Sequence, residues 1–281
     1  MTKNRIYLCA GPDKRAEHVE FIDDLNQTYE VEDLEKDSAP GNILLLGGDG
    51  SINYLLNNFP LKLITECKVI YFPTGTANDF AKSLKVTLTS PRVENIADIL
   101  RSNISVSIPL MSCNDRYFIN VATAGAPAKV TNSGEDLLKK ATGKLSYYIL
   151  SLEQLLSPDE YEIRYRCDGE EGSLRTNGFI ISQGLYAGGG IKVSSSYTPN
   201  FGENFNFLAV KNTDISTSVS SVLELQKSPS VVNEENLSNK YCQELLINGN
   251  KEIPLKLDGE EYSSKSLSFK KLELSIEYFL H

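Results

Sequence analysis

Two short, wholly apolar runs, Ile43-Leu44-Leu45-Leu46 and Val69-Ile70-Tyr71-Phe72, each break directly into a glycine-bearing turn, and this repetition narrows the possible folds more than any other feature of the chain. A run without polar interruption suits a strand covered on both faces, as in a parallel sheet flanked by helices. The first run leads into Gly47-Gly48-Asp49-Gly50-Ser51, and then Ile52, Leu55, Leu56 and Phe59 fall at i, i+3, i+4 and i+7, which predicts a helix. The second leads into Pro73-Thr74-Gly75-Thr76-Ala77-Asn78-Asp79-Phe80-Ala81, with Phe80, Ala81 and Leu84 on the inner face of a second helix. Ile6-Tyr7-Leu8, the turn at Gly11-Pro12-Asp13 and a helical stretch carrying Val19, Phe21, Ile22 and Leu25 form a third strand-turn-helix unit. The amino-terminal part therefore reads as α/β with a parallel sheet.

Two glycine loops at the carboxyl ends of neighbouring parallel strands make one crevice, the place where open α/β sheets bind ligands. Glycines let the backbone take positive φ and let a ligand approach without a Cβ in the way, while a helix start offers N–H groups to phosphate. Gly47, Gly48, Gly50, Ser51 and Asn53 of the first loop, with Gly75, Thr76 and Asn78 of the second, are the candidate nucleotide contacts, and Ser51 and Thr76 are placed to cap the two helices. Asp49 and Asp79 are the candidate ligands for magnesium held against phosphate oxygens. The plainer alternative is a tight Gly-Asp-Gly turn that only leads into a helix.

Near residue 106 the pattern changes to period two. Tyr161, Ile163, Tyr165 and Cys167 alternate with Glu162, Arg164 and Arg166, and Leu272, Leu274, Ile276 and Tyr278 alternate with Glu273, Ser275 and Glu277. At 281 residues two domains are the natural division: an α/β nucleotide domain over 1–106 and a β-sandwich domain over 107–281, whose last strand is a candidate to return to the first domain. One helix is expected where Leu145, Tyr148, Ile149, Leu152, Leu155 and Leu156 recur at helical spacing, and Ser216 to Asn239 reads as a loop or short helix.

A formal net charge of −9 opposes the phosphate backbone that dominates nucleic-acid affinity, so no nucleic-acid partner is expected. It also weakens attraction to anionic lipid, so any membrane-surface contact must be local and transient. The longest aliphatic stretch is far too short to cross a bilayer and the amino terminus carries no signal-peptide core, which points to a cytoplasmic protein. The five cysteines form no CxxC pair, so they read as reduced packing thiols rather than a zinc site or disulfide framework. Two histidines, His18 and His281, leave little material for a Ser-His-Asp triad, and no Walker A pattern occurs.

Gly47-Gly48-Asp49-Gly50-Ser51 and Pro73-Thr74-Gly75-Thr76-Ala77-Asn78-Asp79-Phe80-Ala81 together resemble the GGDGT and P-x-G-T-x-N-D-F-A signatures of diacylglycerol kinase catalytic domains, in their bacterial lipid kinase form. The likeness continues through Arg116-Tyr117-Phe118-Ile119-Asn120-Val121, Gly143-Lys144-Leu145-Ser146-Tyr147, Ala187-Gly188-Gly189-Gly190 and Leu257-Asp258-Gly259-Glu260, in family order. The resemblance implies a nucleotide domain followed by a β-sandwich, ATP held by the two loops with Mg2+, and transfer of its γ-phosphoryl group to a hydroxyl of diacylglycerol or a similar lipid alcohol, at the inner membrane face. It implies that Glu260 is the base, with Asp49 and Asp79 organising the metal, and that Gly188-Gly189-Gly190 lies beside the site. Read without the family, Asp258-Gly259 is a hairpin turn with Glu260 solvated, and the glycine triplet is a flexible loop.

Several family features are absent. The first strand leads into Ala10-Gly11-Pro12-Asp13-Lys14 instead of N-P-x-S-G, only a short segment from Glu32 to Asn42 precedes the second strand, and Tyr54 and Ser107 stand where acidic residues are usual. Lys192-Val193-Ser194-Ser195-Ser196 replaces the segment associated with a bound magnesium. The competing readings are a kinase for a different acceptor, such as NAD or a sphingoid base, and a catalytically inactive relative that binds nucleotide or lipid.

Overall fold

The computed structural model describes residues 4–87, 90–124, 160–187, 190–193, 202–211 and 236–281. The expected helix around Leu145–Leu156, the Gly143-Lys144 turn, Gly188, Gly189 and Ser194–Ser196 lie outside the described residues. The chain divides into two compact units, residues 1–110 with 272–281, and residues 111–271.

The first unit is built on a parallel sheet. Strands β1 (Arg5–Ala10), β2 (Glu30–Asp33), β3 (Asn42–Gly47) and β4 (Lys68–Pro73) run in the order β2-β1-β3-β4, every pair parallel. The returning segment pairs with β4 through Glu277 opposite Lys68 and Tyr278 opposite Val69, also parallel. Helices α1 (Pro12–Glu17), α2 (Val19–Thr28), α3 (Asp49–Asn58), α4 (Leu61–Glu66), α5 (Asp79–Leu84) and α6 (Val93–Ser102) connect the strands.

Period two along buried strands sorts their side chains to opposite faces. Ile6, Leu8, Leu44, Leu46, Ile70 and Phe72 form one cluster with Leu25 of α2 and with Ile96 and Ile99 of α6. On the other side, Tyr71 meets Phe80 of α5 with ring centroids 6.1 Å apart, and Phe80 meets Tyr278 edge-on at 5.0 Å. Residues that read as uninterrupted apolar runs are thus shared between two helical layers.

The second unit is antiparallel throughout its described pairings. Strand β5 (Ser105–Cys113) enters it, followed by β6 (Arg116–Phe118), β7 (Val121–Ala124), β8 (Tyr161–Cys167), β9 (Glu170–Ser182), β10 (Tyr186–Ala187), β11 (Ile191–Lys192), β12 (Phe205–Lys211), β13 (Leu237–Cys242), β14 (Glu244–Leu257) and β15 (Glu260–Phe279), whose end returns to the first unit. The long strands change partners along their length. β9 pairs with β8 through Glu170–Thr176, then with β7 through Phe179–Ser182, while β12 pairs with it from Thr176 to Ser182. β14 pairs with β8 through Leu245–Gly249, then with β7 through Leu255–Leu257. This switching wraps the sheets around a core that includes Phe118, Tyr161, Ile163, Phe179, Phe207, Leu245 and Phe269, giving the β-sandwich-like fold.

Two local expectations are corrected. Cys167 and Cys242 form a disulfide, because the ends of β8 and β13 meet with Cα atoms 5.8 Å apart, a juxtaposition that a separation of 75 residues conceals in the sequence. Cys9, Cys67 and Cys113 are buried thiols. The part of Ser216–Asn239 that the structure describes is not loop or helix at its end, since Leu237 opens β13, pairing with Val210.

Candidate functional site

β3 and β4 stay in register to their last residues, Gly47 opposite Pro73, and the Thr74 N–H donates to Gly47 O at 2.9 Å. The two glycine turns consequently start side by side. Their approach is closer than side chains permit. A Cβ at Gly75 would lie 2.6 Å from the Gly48 Cα, and one at Gly48 would lie 3.1 Å from the Gly75 Cα. A Cβ at Gly47 would fall 1.9 Å from Ser51 Oγ, so the serine hydroxyl folds over the glycine backbone.

The helix starts differ from their sequence reading. α3 begins at Asp49 with Gly48 as its N-cap residue, so Asp49, Gly50 and Ser51 form its first turn and Ser51 is not the cap. α5 begins at Asp79 behind Asn78, which is left-handed at φ 51°, so Thr76, exposed in the loop, is not its cap either. The cap comes from the other loop. The Asp79 N–H donates to Asp49 Oδ2 and the Phe80 N–H to Asp49 Oδ1, both at 3.0 Å. The two loops are therefore bound to each other through one carboxylate. Burial pushes the Asp49 carboxyl above its ordinary range, and the two amide hydrogen bonds oppose that rise.

Around this clamp, buried oxygen atoms are left over. Asn78 donates through Nδ2 to Pro73 O at 3.0 Å and Gly75 O at 2.7 Å, which fixes the loop, while its Oδ1 is buried and meets no hydrogen-bond partner among the described residues. Thr74 Oγ1 is in the same condition. A buried polar atom without a partner is costly in a folded protein and is often matched by a ligand or water. Asp79 is almost completely buried, with Oδ1 3.3 Å from Lys82 Nζ, and Asn53 is buried along α3 with Oδ1 accepting the Asn57 side-chain amide at 3.1 Å.

No group of three or more His, Cys, Asp or Glu side chains among the described residues is arranged to hold a metal by itself. Each Asp49 oxygen retains a lone pair beyond its one amide. One or two such carboxylates fit a magnesium ion that arrives with substrate phosphates, since that ion keeps several waters and needs no all-protein cage.

In the second unit, Leu257 pairs with Glu260, so Asp258-Gly259 is the two-residue turn of the β14–β15 hairpin, with φ of 47° and 97° as a type I′ turn requires. Glu260 is solvent-exposed. Asp258, only 2% exposed, is the residue the sequence reading passed over. Its Oδ2 accepts the Ile119 N–H at 2.7 Å, and its Oδ1 accepts Asn120 N–H at 3.0 Å and Val121 N–H at 2.9 Å. Asn120 reaches on from there, donating through Nδ2 to Tyr186 O at 3.0 Å. The Asn-containing stretch and the Asp-Gly pair both stand out in the sequence, but nothing in their spacing announces that they bind each other across 138 residues. Gly190, the described member of its triplet, turns at φ 114° between β10 and β11.

Among the described residues no helix is long and apolar enough to cross a membrane. Residues 15–113 match the diacylglycerol kinase catalytic domain model, and residues 120–273 match the YegS C-terminal NAD kinase beta sandwich-like domain model. A Staphylococcus carnosus protein that carries a lipid-kinase name is 30% identical over 201 residues, 70% of this chain and 60% of that relative. A Bacillus subtilis diacylglycerol kinase is 29% identical over 225 residues, 78% of this chain and 70% of the relative. The chain thus spans about 60% of the first of these relatives. A Bacillus anthracis diacylglycerol kinase crystal structure superimposes with a TM-score of 0.68 at 15% identity, covering 99% of this chain and 97% of that one. An Archaeoglobus fulgidus NAD kinase solved with ATP gives 0.52 at 15% identity, covering 98% and 92%. Two domain models in family order and a fold shared along the whole chain put this protein in the diacylglycerol kinase family, in its bacterial lipid kinase branch.

Proposed function

We propose that the chain is an ATP-dependent kinase that transfers the γ-phosphoryl group to a hydroxyl of diacylglycerol or a similar lipid alcohol. The observation that carries this reading is the pair of glycine loops, pressed together at Gly48 and Gly75, with side-chain oxygens of Asn78 and Thr74 buried there and without a partner among the described residues. Backbone without side chains at a helix start is suited to phosphate, and membership of a lipid kinase family supplies the acceptor class. Gly47, Gly48, Gly50, Ser51, Gly75, Thr76 and Asn78 would line the nucleotide, with Asn53 behind them on α3.

In the transfer, the lipid hydroxyl oxygen forms a bond to the γ-phosphorus, the bond to the β–γ bridging oxygen breaks, ADP leaves, and the hydroxyl proton passes to a base. Glu260 is the candidate base, and its exposed position on a hairpin leaves it available to a substrate. Magnesium would be held by Asp49 and Asp79 and would neutralise charge building on the phosphate oxygens. Such an enzyme touches a membrane surface locally and briefly, because a net charge of −9 gives no long-range attraction to anionic lipid.

A second reading, a relative that binds nucleotide without transferring phosphate, is favoured by one observation: the Asp49 carboxylate is engaged in capping α5. Incubating purified protein with γ-labelled ATP, magnesium and a panel of diacylglycerols, sphingoid bases and NAD separates the readings. Label on diacylglycerol is the expected result. Label on NAD alone overturns the lipid acceptor, and bound nucleotide with label nowhere supports the inactive relative.

A further inference from the structure

On the outward face of the second unit, the strands β8, β9 and β14 present a row of donors that neither glycine loop nor the Asp-Gly hairpin involves. Arg164 of β8 lies in direct register with Ser173 of β9 on one side and Asn248 of β14 on the other. One row along, Glu162 lies opposite Arg175. All of these side chains are exposed, while the intervening Ile163 and Ile247 are buried in the core, so the alternation places the polar set on one face. They border a cavity of about 620 Å³, large enough for a small organic molecule.

Its wall is a local irregularity. The register of β14 against β15 shifts between Asn248 and Ile253, and the turn needs glycine at 249, where a Cβ would lie 2.8 Å from Lys251 O. This projection brings Asn250 to the rim. Asn248 accepts the Ser266 hydroxyl through Oδ1 at 2.9 Å, and Asn250 accepts the Glu162 N–H through Oδ1 at 3.3 Å. Both amides use their oxygen on the protein, and among the described residues their side-chain N–H groups are left as the unused end. Arg175 is held by Glu162 at 2.8 Å and Glu160 at 3.5 Å. Arg164 meets no carboxylate among the described residues.

We infer that this groove binds a phosphate ester, centred on the Arg164 guanidinium with the Asn248, Asn250 and Ser173 donors around it. A tetrahedral oxyanion accepts several hydrogen bonds at once, and the planar arginine fork matches two of its oxygens. Glu162, which lines the same cavity and with Glu160 neutralises Arg175, limits the affinity. The ester can be a soluble metabolite or the headgroup of an anionic lipid, since a monoester with three free oxygens and a diester with two both offer the pair of oxygens that an arginine fork takes.

Calorimetric titration of the full chain with glycerol 3-phosphate tests the site, with far-UV circular dichroism to confirm folding of each variant. Arg164→Gln is expected to weaken binding at least about tenfold, as loss of a charged hydrogen-bond donor does, and Glu162→Gln to strengthen it. Because the glycine loops can also take phosphate, Gly75→Ala serves as the control. Binding lost in Gly75→Ala but kept in Arg164→Gln overturns the inference, as does absence of binding in the unaltered chain. Sedimentation with vesicles of phosphatidylglycerol, against phosphatidylcholine, distinguishes the two sources: Arg164-dependent pelleting supports a headgroup, and Arg164-dependent titration without pelleting supports a soluble ester.

Discussion

Each unit of the protein contains an aspartate followed by glycine whose carboxylate faces backbone amides, and the two are finished differently. Asp258 is sealed in the second unit, with the amides of Ile119, Asn120 and Val121 gathered on its oxygens. Asp49 is only partly buried, takes the amides of Asp79 and Phe80, and sits in the same pair of loops as Asn78 Oδ1 and Thr74 Oγ1, which meet no partner among the described residues. The same local chemistry therefore builds a closed joint in one unit and an open one in the other. A closed joint holds strands in place, whereas an open joint next to unshielded glycine backbone has capacity left for a ligand.

The contrast is most exposed to failure at Asp258. Asp258→Ala leaves the Ile119, Asn120 and Val121 amides buried without their acceptor, and the expected loss is about 3–5 kcal/mol in denaturant unfolding. Asp49→Ala removes the half-buried acceptor of two amides at a helix start, a change that costs about 0.5–2 kcal/mol. Equal losses in the two variants would break the distinction between a structural clamp and a ligand-site clamp.

Next in size is the effect of reduction, which should reach the second unit alone. Removing the Cys167–Cys242 bond opens a loop of 75 residues, worth about 4 kcal/mol by loop-closure entropy. Hydrogen exchange with and without reductant is the measurement: protection should fall in β8, β12 and β13 and stay unchanged in β1, β3 and β4. A uniform fall across both sheets would mean that the units do not hold their stability separately.

The first unit was legible in sequence because its signals are local. Ile43–Leu46 and Val69–Phe72 each carry a strand, its turn and the start of a helix within about a dozen residues, so hydrophobic period alone orders them. The helix caps were not legible for the opposite reason: Ser51 and Thr76 satisfy the local pattern, but the acceptor for the α5 amides comes from Asp49, some thirty residues away. The second unit was read as half-buried strands from alternation in Tyr161–Cys167, yet its decisive contacts are all distant. Asp258 with Asn120, Cys167 with Cys242, and Arg164 with Asn248 depend on strand order, which period-two alternation does not encode.

A smaller change sharpens the open joint directly. Gly75→Ala places a methyl group 2.8 Å from Asn78 Oδ1 and 2.6 Å from the Gly48 Cα, the second of which only backbone movement can relieve. The expected cost is about 1–3 kcal/mol of stability, together with loss of nucleotide binding measured by calorimetry. Unchanged affinity in a folded Gly75→Ala protein would remove the two loops as the nucleotide site.

The smallest effect on stability belongs to Glu260, two residues from the most consequential carboxylate in the unit. Asp258 and Glu260 flank a single glycine, but the hairpin turns one inward and leaves the other in solvent. An exposed side chain on a strand end contributes little to folding, so Glu260→Gln should leave the thermal midpoint unchanged. Its expected effect is on transfer, where removal of a general base lowers turnover by roughly 10²–10⁴-fold. Nucleotide affinity should stay as it was, because a base acts on the acceptor hydroxyl and is not needed to hold ATP. The two readouts must therefore separate: calorimetry with ATP unaffected, and label transfer to the competent lipid collapsed. If turnover survives in Glu260→Gln, the proton goes elsewhere, and the exposed end of the hairpin is only the turn that Asp258 secures.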